Sequence, residues 1–528
     1  MEELRAAIAE HPVGAATDPD GIAPRLLRHL PPAALAWLLA VLNRCLAEAS
    51  LPRQWRTGVA TPLLKSGKDA TQVASYRPVV QTSLLSRTLE RVVARRVRAV
   101  VDPRLDQHQF GFRPGHAADL AVGMVVRAAL DGWSFADRFL DRRAAEEKHA
   151  AGRGEAPPKR HDGRNVRVRD TLLAAVDFAD AFCSFPPAAC AVGLARLGAP
   201  AAEAAWIASF LAGRTLRVRV GSRLSAPRPT PWGVPQGSVL GPLLWLVVAD
   251  SLACRLSRLL PRLPATCGFA LFADDLSVWA TQAHGSDLAP ASVAMQHLLR
   301  EVADWAAMTG VAVSPKTAAL RFSRSPRAAD EPTVPLTCGP VALAAGPGCI
   351  RILGVEIDSR LNFSAHTEKV VGKLEAVAVR LRRFVALLRP SQLRVVAAAC
   401  GLSAATYASH VWWPVAAADS RDRIVPRLTD LASLASGCTR TASADAIWAE
   451  VRWLPFPVLV RRQSLRRAEQ VARLPASCPA RAALLAPQPA HDAVPRCAWS
   501  ADCAAAAATP AELAPWRGSV PPLSVSSA

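Results

Sequence analysis

At 528 residues, 51% of them hydrophobic, the chain is long enough to bury a large core in several subdomains, which excludes a small module held together by disulfides or zinc. Its formal net charge of +20 and isoelectric point near 10.4 favour polyanionic partners. The twelve cysteines form no C-x-x-C pair, and Cys497 and Cys503 have no knuckle-like histidine partner, a pattern against a zinc module and suited to a reducing compartment.

The first residues alternate charge with alanine, so no signal peptide is expected. Apolar stretches such as Ala33–Leu42 and Leu243–Val248 are too short to span a bilayer, so the expected chain is soluble, intracellular and without a membrane partner. Residues 1–50 read as a helical extension, in which Pro31-Pro32 opens the helix carrying Trp37, Leu38, Leu39, Val41 and Leu42. Residues 51–113 hold twelve Lys or Arg against four acids, and Ser83–Val101 has helical spacing with Arg on its outer face. Residues 131–170 are rich in charge, Gly and Pro and read as an exposed insertion.

Thr171–Val176 is then an apolar run ending in Asp177 and Phe178, followed by Ala179-Asp180-Ala181-Phe182. The Pro235-Gln236-Gly237-Ser238 loop leads into an apolar helix, with glycines that let the backbone approach a ligand closely. Phe272-Ala273-Asp274-Asp275 is flanked by apolar stretches on both sides and reads as strand, tight turn and strand. A loop is expected between Ser323 and Pro335. From His366 to about Gln470 the periodicity is helical, decorated by Lys369, Lys373, Arg380, Arg382, Arg383, Arg389 and Arg394. Trp412-Trp413 is read as buried packing rather than a stacking platform. The Ala- and Pro-rich segment 471–528 is expected to be a disordered tail.

A lone Asp-Asp pair usually fills a turn or caps a helix. Two carboxylates at the tip of a buried hairpin are costly unless neutralised, however, and hard oxygen donors favour magnesium or manganese. Two strands delivering Asp177 and Asp274 to one spot suit a pair of cations about 4 Å apart, the clamp of phosphoryl and nucleotidyl transfer. Beside such a site, the basic run at 51–113 reads as a template and nucleotide channel rather than a merely solvated face.

The order of these three motifs resembles the palm of reverse transcriptases. Flanking segments narrow the likeness: Trp55–Asp69, Ser75-Tyr76-Arg77-Pro78-Val79 and Gln109–Gly115 ahead of it, Trp305–Lys316 and Ile352–Asp358 after it. With Asp18–Ile22 and Leu51–Trp55 upstream, they resemble the polymerases of non-LTR (LINE-type) retrotransposons, most like ingi-type and jockey-type elements, over roughly residues 15–470. The resemblance implies an α+β right-hand polymerase, with fingers and palm at 51–365, a helical thumb at 366–470 and an antiparallel palm sheet. It implies an RNA-directed DNA polymerase that adds dNTPs to a DNA primer on an RNA template by a two-metal mechanism, acting in the nucleus. It further implies that Asp177, Asp274 and Asp275 ligate Mg2+ or Mn2+ with the Phe178 carbonyl adding a ligand, and that Lys316 protonates the pyrophosphate. Lys65 or Lys68 and Arg77 would grip the triphosphate, Gln236 with Gly237 would sense the nucleotide, and Phe182 would exclude a ribose 2′-hydroxyl. Without the resemblance, Phe182 reads equally well as a core aromatic and Lys316 as a surface lysine.

One departure is Ala181-Phe182-Cys183 where the family commonly has Ala-Phe-Asp. That third carboxylate is not a main metal ligand, so activity is still expected. No endonuclease pattern precedes the extension and no RNase H pattern follows the helical region, so a fragment of a longer polyprotein or a truncated copy is expected. A catalytically decayed remnant that only binds nucleic acid, and a domesticated polymerase, remain as alternatives. The sequence is silent on oligomeric state.

Overall fold

The computed structural model describes residues 1–14, 17–65, 67–133, 169–282, 288–324, 333–439 and 441–485. Most of the insertion expected at 131–170, the centre of the loop after Ser323, and the tail from 486 onward lie outside the described residues.

The N-terminal region is helical as expected: α1 (Glu2–Ala9), α2 (Pro24–Arg28) and α3 (Pro32–Ala47), the last opening on Pro31-Pro32. Pro suits the first helical turn because its missing N–H would have no partner there. Strands β1 (Thr57–Leu64) and β2 (Tyr76–Gln81) pair antiparallel, with Val59 opposite Gln81 and Leu64 opposite Tyr76. Helix α4 (Leu84–Val101) follows. The expectation that its arginines all face outward fails at Arg91, which is only 9% exposed. Both sides of α4 are covered, and Arg91 lies 3.2 Å from Glu10 and 2.9 Å from His11.

The central sheet is antiparallel. Its order is β8 (Ala318–Phe322), β3 (Thr171–Ala179), β6 (Asp275–Thr281), β5 (Thr266–Phe272), with the short β7 (Ala312–Val313) continuing against the end of β3. Side chains alternate between its two faces. Leu172, Ala174, Val176 and Phe178 join Leu276, Val278 and Ala280 in one core, against helices α8 (Gly241–Leu259) and α9 (Ala289–Thr309). Leu173, Trp279, Ala270, Leu320 and Phe322 enter a second core with the helix α5 at 118–133 and the C-terminal helices. Burial on both faces explains why these strands read as continuous apolar runs. Strand β4 (Thr215–Val220) adds to β1 in parallel, extending the first sheet. The observed class is α+β, as expected.

The C-terminal region is helical from α10 (Ser364–Arg382) onward. Trp412 is fully buried, edge-on to His366 at 5.1 Å, as the packing reading required. Two expectations need correction. The stretch Pro390–Trp412 is, by length and composition alone, apolar enough to cross a bilayer. It is instead interrupted at Tyr407–Ala408 and inserts Leu393, Ala397, Val411 and Trp412 into the second core; many small residues give it its apolar character. The tail is also ordered farther than composition suggests, because helix Pro479–Leu485 buries Ala480 and Leu484 in that core after the fully buried Cys478. Two of the cations that decorate the helical region are paired, Lys369 with Glu356 and Arg394 with Glu450.

Candidate active site

Residues Phe272 and Asp275 face each other across β5 and β6, leaving Ala273-Asp274 as a two-residue turn. Ala273 takes φ 57°, a left-handed conformation that favours glycine, so surrounding contacts must hold it. Two contacts do so. The Trp245 indole N–H donates to the Ala273 carbonyl at 2.6 Å. Gly111 lies so close that a Cβ there would sit 2.2 Å from the Ala273 nitrogen. The Gly111 segment is itself stitched to β5, through Phe110 N–H to the Leu271 carbonyl at 2.7 Å and Leu271 N–H to the His108 carbonyl at 2.9 Å. Gly111→Ala is therefore expected to cost about 1–3 kcal/mol by overpacking and to slow catalysis by shifting the turn. Thermal melts beside turnover measurements check this, and an Ala variant of wild-type stability and rate would contradict it.

Asp177 and Asp275 are directly opposed in the β3–β6 register, so both side chains leave the same face of the sheet, with Asp274 beside them in the turn. Loss of hydration raises the Asp274 carboxyl above its usual range, with Asp177 adding repulsion. Loss of hydration, then the charges of Asp274 and Asp177, push Asp275 up to about 6, and Arg351 partly offsets them. Asp275 is exposed as a residue, so the neighbouring carboxylates act on it across partly solvated space. Among the described residues, no three His, Cys, Asp or Glu side chains stand close enough together to hold a metal ion as placed. The donor set still fits a hard divalent cation, because mutually repelling carboxylates on one face lose that repulsion when a cation binds between them.

The end of β3 is wrapped by Ser314–Thr317. Ser314 N–H donates to the Asp177 carbonyl at 2.8 Å, and Asp177 N–H donates to the Thr317 hydroxyl at 3.2 Å. This turn places the exposed Lys316 with Nζ 3.9 Å from Asp177. The Phe178 side chain points into the core against Trp305 and Trp245, so only its backbone carbonyl is left for a cation. Phe182 is half-buried, 5.8 Å from Trp245.

The Pro-Gln-Gly loop is fixed from two sides. Val80 N–H donates to the Gln236 carbonyl at 2.8 Å, and Gly237, at φ 116°, presses against the Val80 carbonyl. From below, the fully buried Glu90 accepts from the Ser238 hydroxyl at 2.6 Å and from Val239 N–H at 2.9 Å. Sequence reading missed Glu90, Trp245, Arg351 and the part played by Gly111. Glu90 is a lone acid in an arginine-rich helix, and Trp245 sits inside an apolar run, so neither carried a signal of its own. Cys183 contacts the loop, its sulfur 3.8 Å from the Val234 carbonyl, rather than the carboxylates. Lys65, Lys68 and Arg77 lie on the β1–β2 hairpin. Lys65 bonds the Ala74 carbonyl at 2.9 Å, and among the described residues no ion pair joins these three cations to the aspartates.

The sequence profile of the family described as "Reverse transcriptase (RNA-dependent DNA polymerase)" matches residues 64–357. The chain is 28% identical over 375 residues to the "Probable RNA-directed DNA polymerase from transposon BS" of Drosophila melanogaster, covering 69% of this chain and 36% of the relative. It is 28% identical over 368 residues to the corresponding X-element protein of the same organism (68% and 35%). It is 26% identical over 399 residues to that organism's "RNA-directed DNA polymerase from mobile element jockey" (73% and 38%). The chain thus spans a little over a third of the length of these relatives.

Proposed function

The chain belongs to the reverse transcriptase family, in its non-LTR retrotransposon branch, and from that premise we propose that it is an RNA-directed DNA polymerase extending a DNA primer with dNTPs on an RNA template. The observation that carries the proposal is the opposed pair Asp177 and Asp275 with Asp274 in the adjoining turn. We assign residues 51–130 to the fingers, the rest up to 365 to the palm, and 366–470 to a helical thumb.

Asp177, Asp274 and Asp275, with the Phe178 carbonyl, would hold magnesium or manganese. The bound cations supply charge neutralisation at the α-phosphate and a more acidic primer 3′-hydroxyl. The protein does the positioning. Arg77 and Lys65 or Lys68 bring the fingers hairpin onto the triphosphate, Arg by a forked contact and Lys as a point charge. Gln236, on a loop whose backbone is anchored at Val80 and Glu90, reads the nucleotide beside Gly237. Phe182 closes the space that a ribose 2′-hydroxyl would need. Lys316, beside Asp177, gives a proton to the departing pyrophosphate. On the family resemblance alone, we place the reaction in the nucleus.

The position of Cys183 against Val234 favours retained activity over a decayed remnant, since its side chain is engaged with the loop and not with the carboxylates. The test is dTTP incorporation on poly(rA)·oligo(dT). Incorporation that requires magnesium or manganese is expected. Failure by folded protein would overturn the proposal, and Cys183→Asp would then show whether that residue is the lesion.

A further inference from the structure

Phe112 is an aromatic residue in an unusual state. Its backbone lies at φ 58°, a conformation that L side chains rarely adopt, and the residue is 40% exposed, whereas Phe110 two residues earlier is fully buried. Burial of the ring therefore does not account for the conformation. Strain kept at an exposed position points to a functional constraint.

The surroundings show what the strain achieves. Gly111 abuts the Ala273 turn, and Arg98 donates to the Phe112 carbonyl at 2.7 Å. These contacts tie Phe112 to the carboxylate hairpin on one side and to α4 on the other. The Phe112 ring meets Phe182 edge-on, with centroids 6.0 Å apart at 73°. Phe182 also meets Trp245, centroids 5.8 Å apart, which is fully buried and bonded to the turn. Phe182 thus meets one buried ring and one exposed ring, both tied to the same turn.

We propose that Phe112 is a positioning residue that sets nucleotide sugar selectivity, bracing Phe182 against the face where the incoming sugar lies. This rests on the reading of Phe182 as the sugar gate. A phenylalanine ring chooses among staggered rotamers, and a gate excludes a hydroxyl only while its ring cannot turn aside. With Phe112 removed, Phe182 loses one of its two ring contacts and turns more freely, and ribonucleotides gain access.

The experiment compares dTTP with UTP incorporation on poly(rA)·oligo(dT) for wild type, Phe182→Ala, Phe112→Ala and Phe112→Gly, with thermal melts of each. The same ratio is also read as equilibrium affinity of the two nucleotides on a dideoxy-terminated primer, which does not depend on turnover. Phe112→Ala is expected to lower the preference for dTTP by about tenfold, the scale of an aromatic pair converted to a rate ratio. Combining it with Phe182→Ala adds little, because the brace has nothing left to hold. Phe112→Gly relieves the backbone strain, so it is expected to melt higher than Phe112→Ala while losing selectivity equally. A residue with a purely structural role would change use of both nucleotides together and leave their ratio intact. If Phe182→Ala relaxes selectivity and neither Phe112 variant does, the brace is wrong and the gate stands. If Phe182→Ala leaves the ratio unchanged, the gate reading falls and the brace with it.

Discussion

Asp275→Asn is expected to stabilise the metal-free protein while lowering primer extension by about a thousandfold. The two effects have one origin. In the folded chain the Asp275 carboxyl titrates at about 6 against a usual 3.8, so between these values the folded state binds more protons than the unfolded one. Stability from this group therefore falls as pH rises from about 4 to 6, and the full penalty is present above 6. Asparagine never ionises, so its advantage is complete at neutral pH and vanishes below pH 4. A shift of this size would be worth about 3 kcal/mol for a group shut off from water; Asp275 is exposed, and screening reduces the expected gain to about 1 kcal/mol. The loss of activity follows because a cation contributes several kcal/mol of transition-state stabilisation and loses a ligand. Thermal melts in chelator at pH 4 and pH 7.5, paired with extension assays, check both halves. A variant that melts lower than wild type at pH 7.5 would contradict the electrostatic reading. The same carboxyl also implies that cation affinity weakens below pH 6, where protons compete for the site.

Glu90→Ala is expected to cost about 3 kcal/mol and to weaken dNTP use by about tenfold, although Glu90 touches none of the aspartates. Its carboxylate serves the Ser238 hydroxyl and Val239 N–H, at the start of α8 where the helix dipole also favours negative charge. Removing it leaves buried donors without an acceptor, and the buried Arg214 guanidinium loses the nearby acid that favours its charge. The Gln236 loop then keeps its Val80 anchor but loses the one beneath it. The loss should appear mainly in KM for dNTP, with Glu90→Gln intermediate because its amide oxygen still accepts. Denaturant unfolding and steady-state kinetics test this, and a Glu90→Ala protein as stable as wild type would refute it.

How far the sequence spoke depended on whether a residue's partners lay nearby in the chain. Asp177 and Asp274-Asp275 were legible because each carboxylate stands against the apolar residues of a strand, a contrast visible within eight residues. The helical N- and C-terminal regions were legible by periodicity. Glu90 and Arg91 were not, because their partners at Ser238 and Glu10 are distant in sequence and come together only in the fold. Phe112 was visible as part of a motif, but its left-handed backbone and its contact with Phe182, seventy residues on, are set by the fold and by no local pattern. The helix Pro479–Leu485 was lost to composition, since alanine and proline suggest disorder until a groove exists for Ala480 and Leu484 to fill.

The measurement that bears most directly on the carboxylate site is single-turnover extension of poly(rA)·oligo(dT) by wild type and Asp274→Ala across a magnesium titration, with primer–template affinity measured alongside. A loss of about a thousandfold in rate that no magnesium concentration restores, at unchanged nucleic-acid affinity, is the predicted result. Extension by Asp274→Ala at a rate near wild type would mean that the chemistry lies elsewhere in the chain.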